Sequence, residues 1–320
     1  MDCPGCNTSV SPRARYCDQC GLHLEKNLDF AHLKAVESYH RGMIDEAIRS
    51  WDAILAEKED FSKGYYYKGL ALYDRGDLQE SIDCLKKALT DAKEPFRIYF
   101  KLGMAQYGLG DLDSSVQSFS EALKFNEKSA ETYYRLGLAH LRNTKLPEAQ
   151  KALEKAIGIN PKYTRALYIM GMVFSQKGDL DQAIEQFRRV VLMSPSYTAA
   201  YFDLGMALYK KGDLEEALEE FTRAVQTNEK FAPSYFMMGE AHRRLGSPQE
   251  AVSAYIKVLE LNPSDVDALF HLAECYVQLD FVDAAREALN KALAYNPENR
   301  EAKYLLKHLG EISTPHKPGC

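Results

Sequence analysis

Four cysteines fall within the first twenty residues as two pairs with the same internal spacing, Cys3-Pro-Gly-Cys6 and Cys17-Asp-Gln-Cys20, separated by ten residues. The chemistry open to such a set is metal ligation or thiol–disulfide exchange. Four thiolates complete a closed tetrahedral shell around a soft cation; Zn2+ is the leading ion and iron the chemical alternative. A closed shell leaves no position for water, so the expected role is structural, without catalysis. A CxxC pair is also the redox motif of thiol–disulfide proteins, but two pairs crowded together without a βαβ setting favour metal. The loop between the pairs is too short to build its own core, and metal binding would supply the folding free energy. Asn7 and Gly21 each follow the second cysteine of a pair, and these two residue types best tolerate a left-handed turn there. His23 lies close by but reads as a surface residue once four cysteines are available. Three bases, Arg13, Arg15 and Lys26, balance three acids, Asp2, Asp18 and Glu25, over residues 1–27, which makes no phosphate patch.

The elements that follow are set by a period. Gly69, Gly103, Gly137, Gly171, Gly205 and Gly239 are each 34 residues apart, with Ala35 and Ala273 one step outside them. Eight repeats therefore start at 28, 62, 96, 130, 164, 198, 232 and 266. A second small residue lies twelve places later in each, from Ala47 and Ser81 to Ala251 and Ala285. A large one follows four places on: Trp51, Leu85, Phe119, Leu153, Phe187, Phe221, Tyr255 and Leu289. Steps of three and four mark one helix face, and a small residue opposite a large one lets two helices pack closely. Each repeat is thus predicted to be a helical hairpin, helix A then helix B. Gly76, Gly110, Gly178 and Gly212 precede Asp-Leu, where Gly would end helix A in the left-handed region and Asp would cap helix B. Asp77 with Glu80 and Asp213 with Glu216 also have capping-box spacing. Thr144 and Asp280 stand where the other repeats have that turn glycine. Pro161, Pro195, Pro263 and Pro297 are placed to stop helix B.

This pattern resembles the tetratricopeptide repeat family, through residues such as Tyr201, Leu204, Gly205, Leu208, Ala217, Phe221 and Ala224. The segment around the cysteines resembles the zinc ribbons found at the termini of many bacterial and archaeal proteins. The resemblance implies an all-α chain: a right-handed α-solenoid of eight helical hairpins plus a C-terminal capping helix, preceded by a small zinc ribbon. The expected organisation is a ribbon and linker over 1–27, a repeat array over 28–312 with its capping helix at 300–312, and a disordered tail at 313–320. In the capping helix Tyr304, Leu305, Leu306 and Leu309 are expected on one side. His316 and Cys320 in the tail are too few to make a second metal site.

In this family helix A lines a concave groove, chiefly at repeat positions 2, 5, 6, 9, 12 and 13. Position 5 here is aromatic at Tyr66, Phe100, Tyr134, Tyr168, Phe202, Phe236 and Phe270, and position 9 includes Met104. About half of these aromatics are expected to pack between helices, and the rest to face a partner. Lys63, Arg97, Lys101, Arg135 and Arg165 give the earlier repeats a basic face, whereas Asp203, Glu240, Asp267 and Glu274 make the last three acidic. The expectation is a groove that takes a protein or peptide partner, such as an amphipathic helix, and orients it by charge. No repeat carries the Lys and Asn pair of the family's carboxylate-clamp chaperone co-factors, nor the Asn ladder of its sugar-transferase members.

The formal charge of −6 and pI near 5.8 give no general reason to expect nucleic acid or anionic membrane. No stretch is long and apolar enough to span a membrane, and no signal peptide opens the chain, so a cytoplasmic scaffold is expected. No phosphate loop, metalloprotease motif or nucleophile–base pair at a strained turn appears, which argues against an enzyme. Cys84 and Cys275 sit at positions otherwise held by small residues and read as core. His140 and His242 share one repeat position and read as repetition. Two other readings stay open: a zinc-ribbon factor for nucleic acid or transcription, and a redox-switched chaperone using the CxxC pairs.

Overall fold

The structure is a computed structural model that describes residues 1–312. The expected disordered tail, with His316 and Cys320, lies outside the described residues. The chain divides into two compact bodies, Met1–Tyr163 and the part from Thr164 onward.

In the first body, four hairpins follow the cysteine segment. They are α1 (Leu28–His40) with α2 (Ile44–Glu57), α3 (Ser62–Arg75) with α4 (Leu78–Ala88), α5 (Pro95–Leu109) with α6 (Leu112–Phe125), and α7 (Ala130–Arg142) with α8 (Leu146–Ile159). The second body holds α9 (Thr164–Lys177) with α10 (Leu180–Met193), α11 (Thr198–Lys211) with α12 (Leu214–Thr227), α13 (Ala232–Arg244) with α14 (Pro248–Leu261), α15 (Val266–Gln278) with α16 (Val282–Tyr295), and a last helix α17 (Arg300–Ile312). Within each body every hairpin packs on the next, the arrangement of an α-solenoid. Apart from two isolated bridges, no strand occurs among the described residues.

The small-opposite-large spacing works as steric logic requires. A Cβ added to Gly103 would lie 2.8 Å from the Phe119 ring, and at Gly205 only 2.6 Å from the Phe221 ring. These large residues are fully buried, so neither ring has slack into which to move. Where the second small residue is serine, its hydroxyl is also satisfied: Ser81 and Ser115 donate to the carbonyls of Gly69 and Gly103 at 2.7 and 2.8 Å.

Each A–B turn is built alike. Its residue takes the left-handed region, and the next N–H donates five residues back, as Asp77 does to the Leu72 carbonyl at 2.9 Å. Thr144 (φ 57°) and Asp280 (φ 61°) adopt this conformation too, so the turn survives without glycine. The aspartates after the glycines behave differently from expectation. Asp111 accepts from the Ser114 N–H, but Asp77, Asp179 and Asp213 make no capping bond. Their carboxylates instead pair with Arg75, Lys177 and Lys211 at the end of the preceding helix, so the expected capping boxes do not form. The cation two residues back, beside the last carbonyls of helix A, is the stronger attractor.

Helix B ends at the residue before an asparagine in most repeats, and Asn126, Asn160, Asn228 and Asn296 accept from the N–H two residues on at 3.1 to 3.2 Å. This short side-chain turn joins the proline stop at Pro161 and Pro297 and ends helix B without a proline after Asn126 and Asn228. In α17, Ala302 and Leu309 are buried against α16, with Leu305 and Leu306 half-buried. Tyr304 departs from the expected apolar side: it is 66% exposed and stacks on His308.

Candidate functional site: a four-sulfur cluster and the helix A faces

The cysteine segment folds as two matching turns. Cys3 N–H donates to Thr8 O and Cys17 N–H to Leu22 O, both at 2.9 Å; Asn7 N–H returns to Cys3 O and Gly21 N–H to Cys17 O, also at 2.9 Å. Asn7 (φ 55°) and Gly21 (φ 73°) occupy the left-handed region, as their types foretold. Bridges Asp2↔Ser9 and Tyr16↔His23 close a small antiparallel ladder beneath each turn. The result gathers all four Sγ atoms within 4.8 Å of one another.

Sulfurs from different pairs approach most closely among the contacts seen, Cys3 to Cys20 at 3.6 Å and Cys6 to Cys17 at 3.5 Å. A tetrahedron with metal–sulfur bonds of about 2.3 Å has edges of about 3.8 Å, so the sulfurs fit a four-thiolate metal site. The Gly5 N–H also points to Cys3 Sγ at 3.4 Å. A Cβ on Gly5 would stand 3.4 Å from Cys20 Sγ and 3.3 Å from Leu22, so the turn has little room for a larger residue. Hydrogen bonding to Thr8, side chain first and backbone second, draws the Cys6 thiol down to about 6. Although the Leu22 backbone pulls Cys20 down, Cys6, burial and then the other two sulfurs together push it up to about 12. Sulfurs this close resist sharing several negative charges unless a cation sits among them. Cys3 and Cys17 are buried, Cys6 and Cys20 exposed, so the four could bind a metal at an edge open to solvent.

The helix A face of the first body carries Lys63, Tyr66, Arg97, Phe100, Lys101, Met104, Tyr134 and Arg135. Its arginines are compensated locally: Arg97 pairs with Glu94 at 2.8 Å and Arg135 with Glu131 at 2.7 Å. Glu131 stands at repeat position 2, where the neighbouring repeats have bases. Lys101 lies over the Tyr73 ring, 5.3 Å from its centroid, and Arg142 over Tyr107 at 5.2 Å.

In the second body the face carries Arg165, Tyr168, Phe202, Asp203, Phe236, Glu240, Phe270 and Glu274. The Tyr168 hydroxyl donates to Asp203 at 2.5 Å, and burial holds the Asp203 carboxyl above the ordinary carboxylate range. Arg243 links the last two acids, reaching Glu240 at 2.8 Å and Glu274 at 2.9 Å. His271 Nδ1 lies 2.9 Å from Glu274, and the Tyr255 hydroxyl donates to Glu240. Although burial pushes the Glu274 carboxyl up, His271 and Arg243 prevail and hold it below the ordinary range. Sequence reading passed over Arg243 and His271, which stand at positions 12 and 6 beside the acids it chose.

The position-5 aromatics divide in a way the spacing encodes. Where the last residue of a repeat is also aromatic, the two rings meet: Tyr134 with Tyr163 at 5.1 Å, Tyr168 with Tyr197 at 4.9 Å, Phe202 with Phe231 at 5.4 Å, and His32 with Phe61 at 5.3 Å. Those rings serve packing. Tyr66, Phe100, Phe236 and Phe270 have Pro95, Ser129, Asp265 and Asn299 at that place and stay half-buried without such a partner ring. The co-occurrence of aromatics at positions 5 and 34 was the available signal.

Hairpins of constant length, stacked side by side and exposing the same positions of helix A, define a helical-repeat scaffold. Models of the tetratricopeptide repeat match residues 134–191, 168–234 and 242–309, and a TPR repeat model matches 69–110 and 105–143. The chain is a tetratricopeptide repeat protein. No curated protein matches the sequence. Among solved structures it is similar to YrrB, described as a TPR protein with an unusual peptide-binding site, at 24% identity and a TM-score of 0.54, covering 60% of this chain and 99% of that one. It is also similar to MamA from Desulfovibrio magneticus (20%, TM-score 0.52, 55% of this chain and 99% of that one). The hetero-tetramer Cut9–Hcn1 of the APC/C gives 19% identity and a TM-score of 0.51, covering 89% of this chain and 56% of that one. These likenesses concern the fold. No helix among the described residues is long and apolar enough to cross a membrane.

Proposed function

We propose that the chain is a non-catalytic scaffold that holds a polypeptide segment against its helix A faces, and that its four cysteines hold a structural Zn2+. The observation that carries the first part is the set of half-buried aromatic and methionine side chains on helix A that no end-of-repeat ring covers, beside charges of one prevailing sign. In the second body Phe236 and Phe270 flank Glu240 and Glu274, two acids that share the single Arg243, with Asp203 and Asp267 on the same face. That chemistry suits a segment alternating apolar and basic residues. The first body, where Lys63 and Lys101 form no ion pair among the described residues, suits an acidic-apolar one. Zinc is supported by four sulfurs at tetrahedral spacing with no nitrogen or oxygen donor among them.

Fluorescence polarisation with two labelled peptide sets, basic-apolar and acidic-apolar, tests the scaffold reading. Charge reversal at Glu240 and Glu274 together should abolish capture of the basic set, and reversal at Lys63 and Lys101 should abolish capture of the acidic set, each with affinity falling as salt rises. Binding indifferent to both reversals and to salt would refute it.

A further inference from the structure

The cysteine segment does not end where the repeats begin. Cys3, Cys17, Leu24 and Phe30 form one buried cluster, with Met1, Val10, Ala14 and Leu22 packed around it. Phe30 belongs to the first turn of α1, and its own N–H donates to the Asn27 side chain that caps that helix, at 2.9 Å. Two metal-site sulfurs therefore form part of the wall that receives an α1 side chain. The segment is too small to supply a core by itself, and the α1 ring completes it.

The opposite side of α1 leads to the only tryptophan of the chain. Trp51 on α2 is fully buried, and its indole N–H donates to His32 of α1 at 3.2 Å. Tyr39, at the far end of α1, lies 6.2 Å from the Trp51 ring. So α1 is held between the sulfur cluster on one side and α2 on the other.

We infer that metal occupancy of the four-cysteine site governs the order of the first hairpin: the metal-closed segment is the end-piece that seats Phe30, and losing the metal loosens α1 from α2. This rests on the zinc reading above. Metal binding energy in so small a segment is folding energy, and the shared cluster passes it to α1. Linkage makes the effect reciprocal, so whatever the metal gives α1, Phe30 must return to the metal.

The test uses the full chain under reducing conditions, loaded with Zn2+ and then stripped by a chelator, with metal counted by mass spectrometry. Trp51 emission and hydrogen exchange over 28–57 are followed, with 198–261 as internal reference. Stripping should shift Trp51 emission to the red and speed exchange over 28–57 at least tenfold while 198–261 stays unchanged. Phe30→Ala should bind Zn2+ at least tenfold more weakly, with Phe30→Leu close to the parent. If one Zn2+ binds per chain but stripping alters only residues 1–26, and Phe30→Ala binds as tightly as the parent, the coupling is overturned and the zinc reading stands. If no Zn2+ binds, both fall, and the metal count alone reveals it.

Discussion

His32 is 8% exposed, and its Nδ1 accepts the Trp51 indole N–H, a role open only to neutral imidazole. Burial, more than the nearby Lys63, lowers its pKa from 6.5 to about 4. Between those values the unfolded chain binds a proton that the folded chain refuses. Stability is therefore complete above about pH 6.5, falls as the pH drops toward 4, and levels off below. Moving from pH 7.5 to 5 traverses about 1.5 units of that window, and at about 1.4 kcal/mol per unit the loss is about 2 kcal/mol. Urea unfolding followed by Trp51 emission at both pH values measures it. His32→Gln keeps an acceptor for the indole and removes the titration, so its loss over the same interval should be about 2 kcal/mol smaller; thiols, His140 and His242 titrate in both proteins and cancel. If the two proteins lose the same stability to within about 0.5 kcal/mol, His32 is not held neutral by the fold and the reasoning fails.

Two substitutions test the hairpin itself. Gly205→Ala gains up to about 1 kcal/mol of helix propensity but drives its Cβ into the Phe221 ring, an overpacking cost of about 1 to 3 kcal/mol, so chemical denaturation should show net destabilisation. In a Phe221→Ala background the same change should turn stabilising, and equal effects in both backgrounds would contradict the close-contact account. Thr144→Gly relieves a side chain from the left-handed region and should stabilise by about 1 kcal/mol, readable as a rise in the denaturation midpoint, whereas Gly212→Thr at the equivalent turn should lose a similar amount.

The hairpins were legible because their information is repeated: a 34-residue ruler aligns Gly103 with Phe119 and Gly205 with Phe221, and each copy repeats the same steric statement. Asn7 and Gly21 were legible for a related reason, since a required left-handed backbone narrows residue choice to a few types. What depended on distant or competing partners was not legible. Asp77 and Asp213 satisfy the rule for a cap, yet Arg75 and Lys211 attract them more strongly, and no local pattern ranks the two. Arg97 and Arg135 look like free groove cations until Glu94 and Glu131 are seen one turn earlier. Arg243 escaped notice because it holds Glu240 and Glu274 from two different helices, a relation across 31 residues that spacing rules for one helix do not address.

The ring of Phe30 also separates two notions of a boundary. Counted by period, the array starts at Leu28, and a fragment cut there would contain every repeat intact. Counted by burial, that cut passes through a closed cluster and leaves an aromatic ring facing water on the first turn of the first helix. Such a fragment would carry a sticky leading edge, prone to self-association at concentrations where the uncut chain stays dispersed. Light scattering of the two at equal concentration would expose the difference, and a cut chosen by alignment alone would mistake an artefact of trimming for a native oligomer.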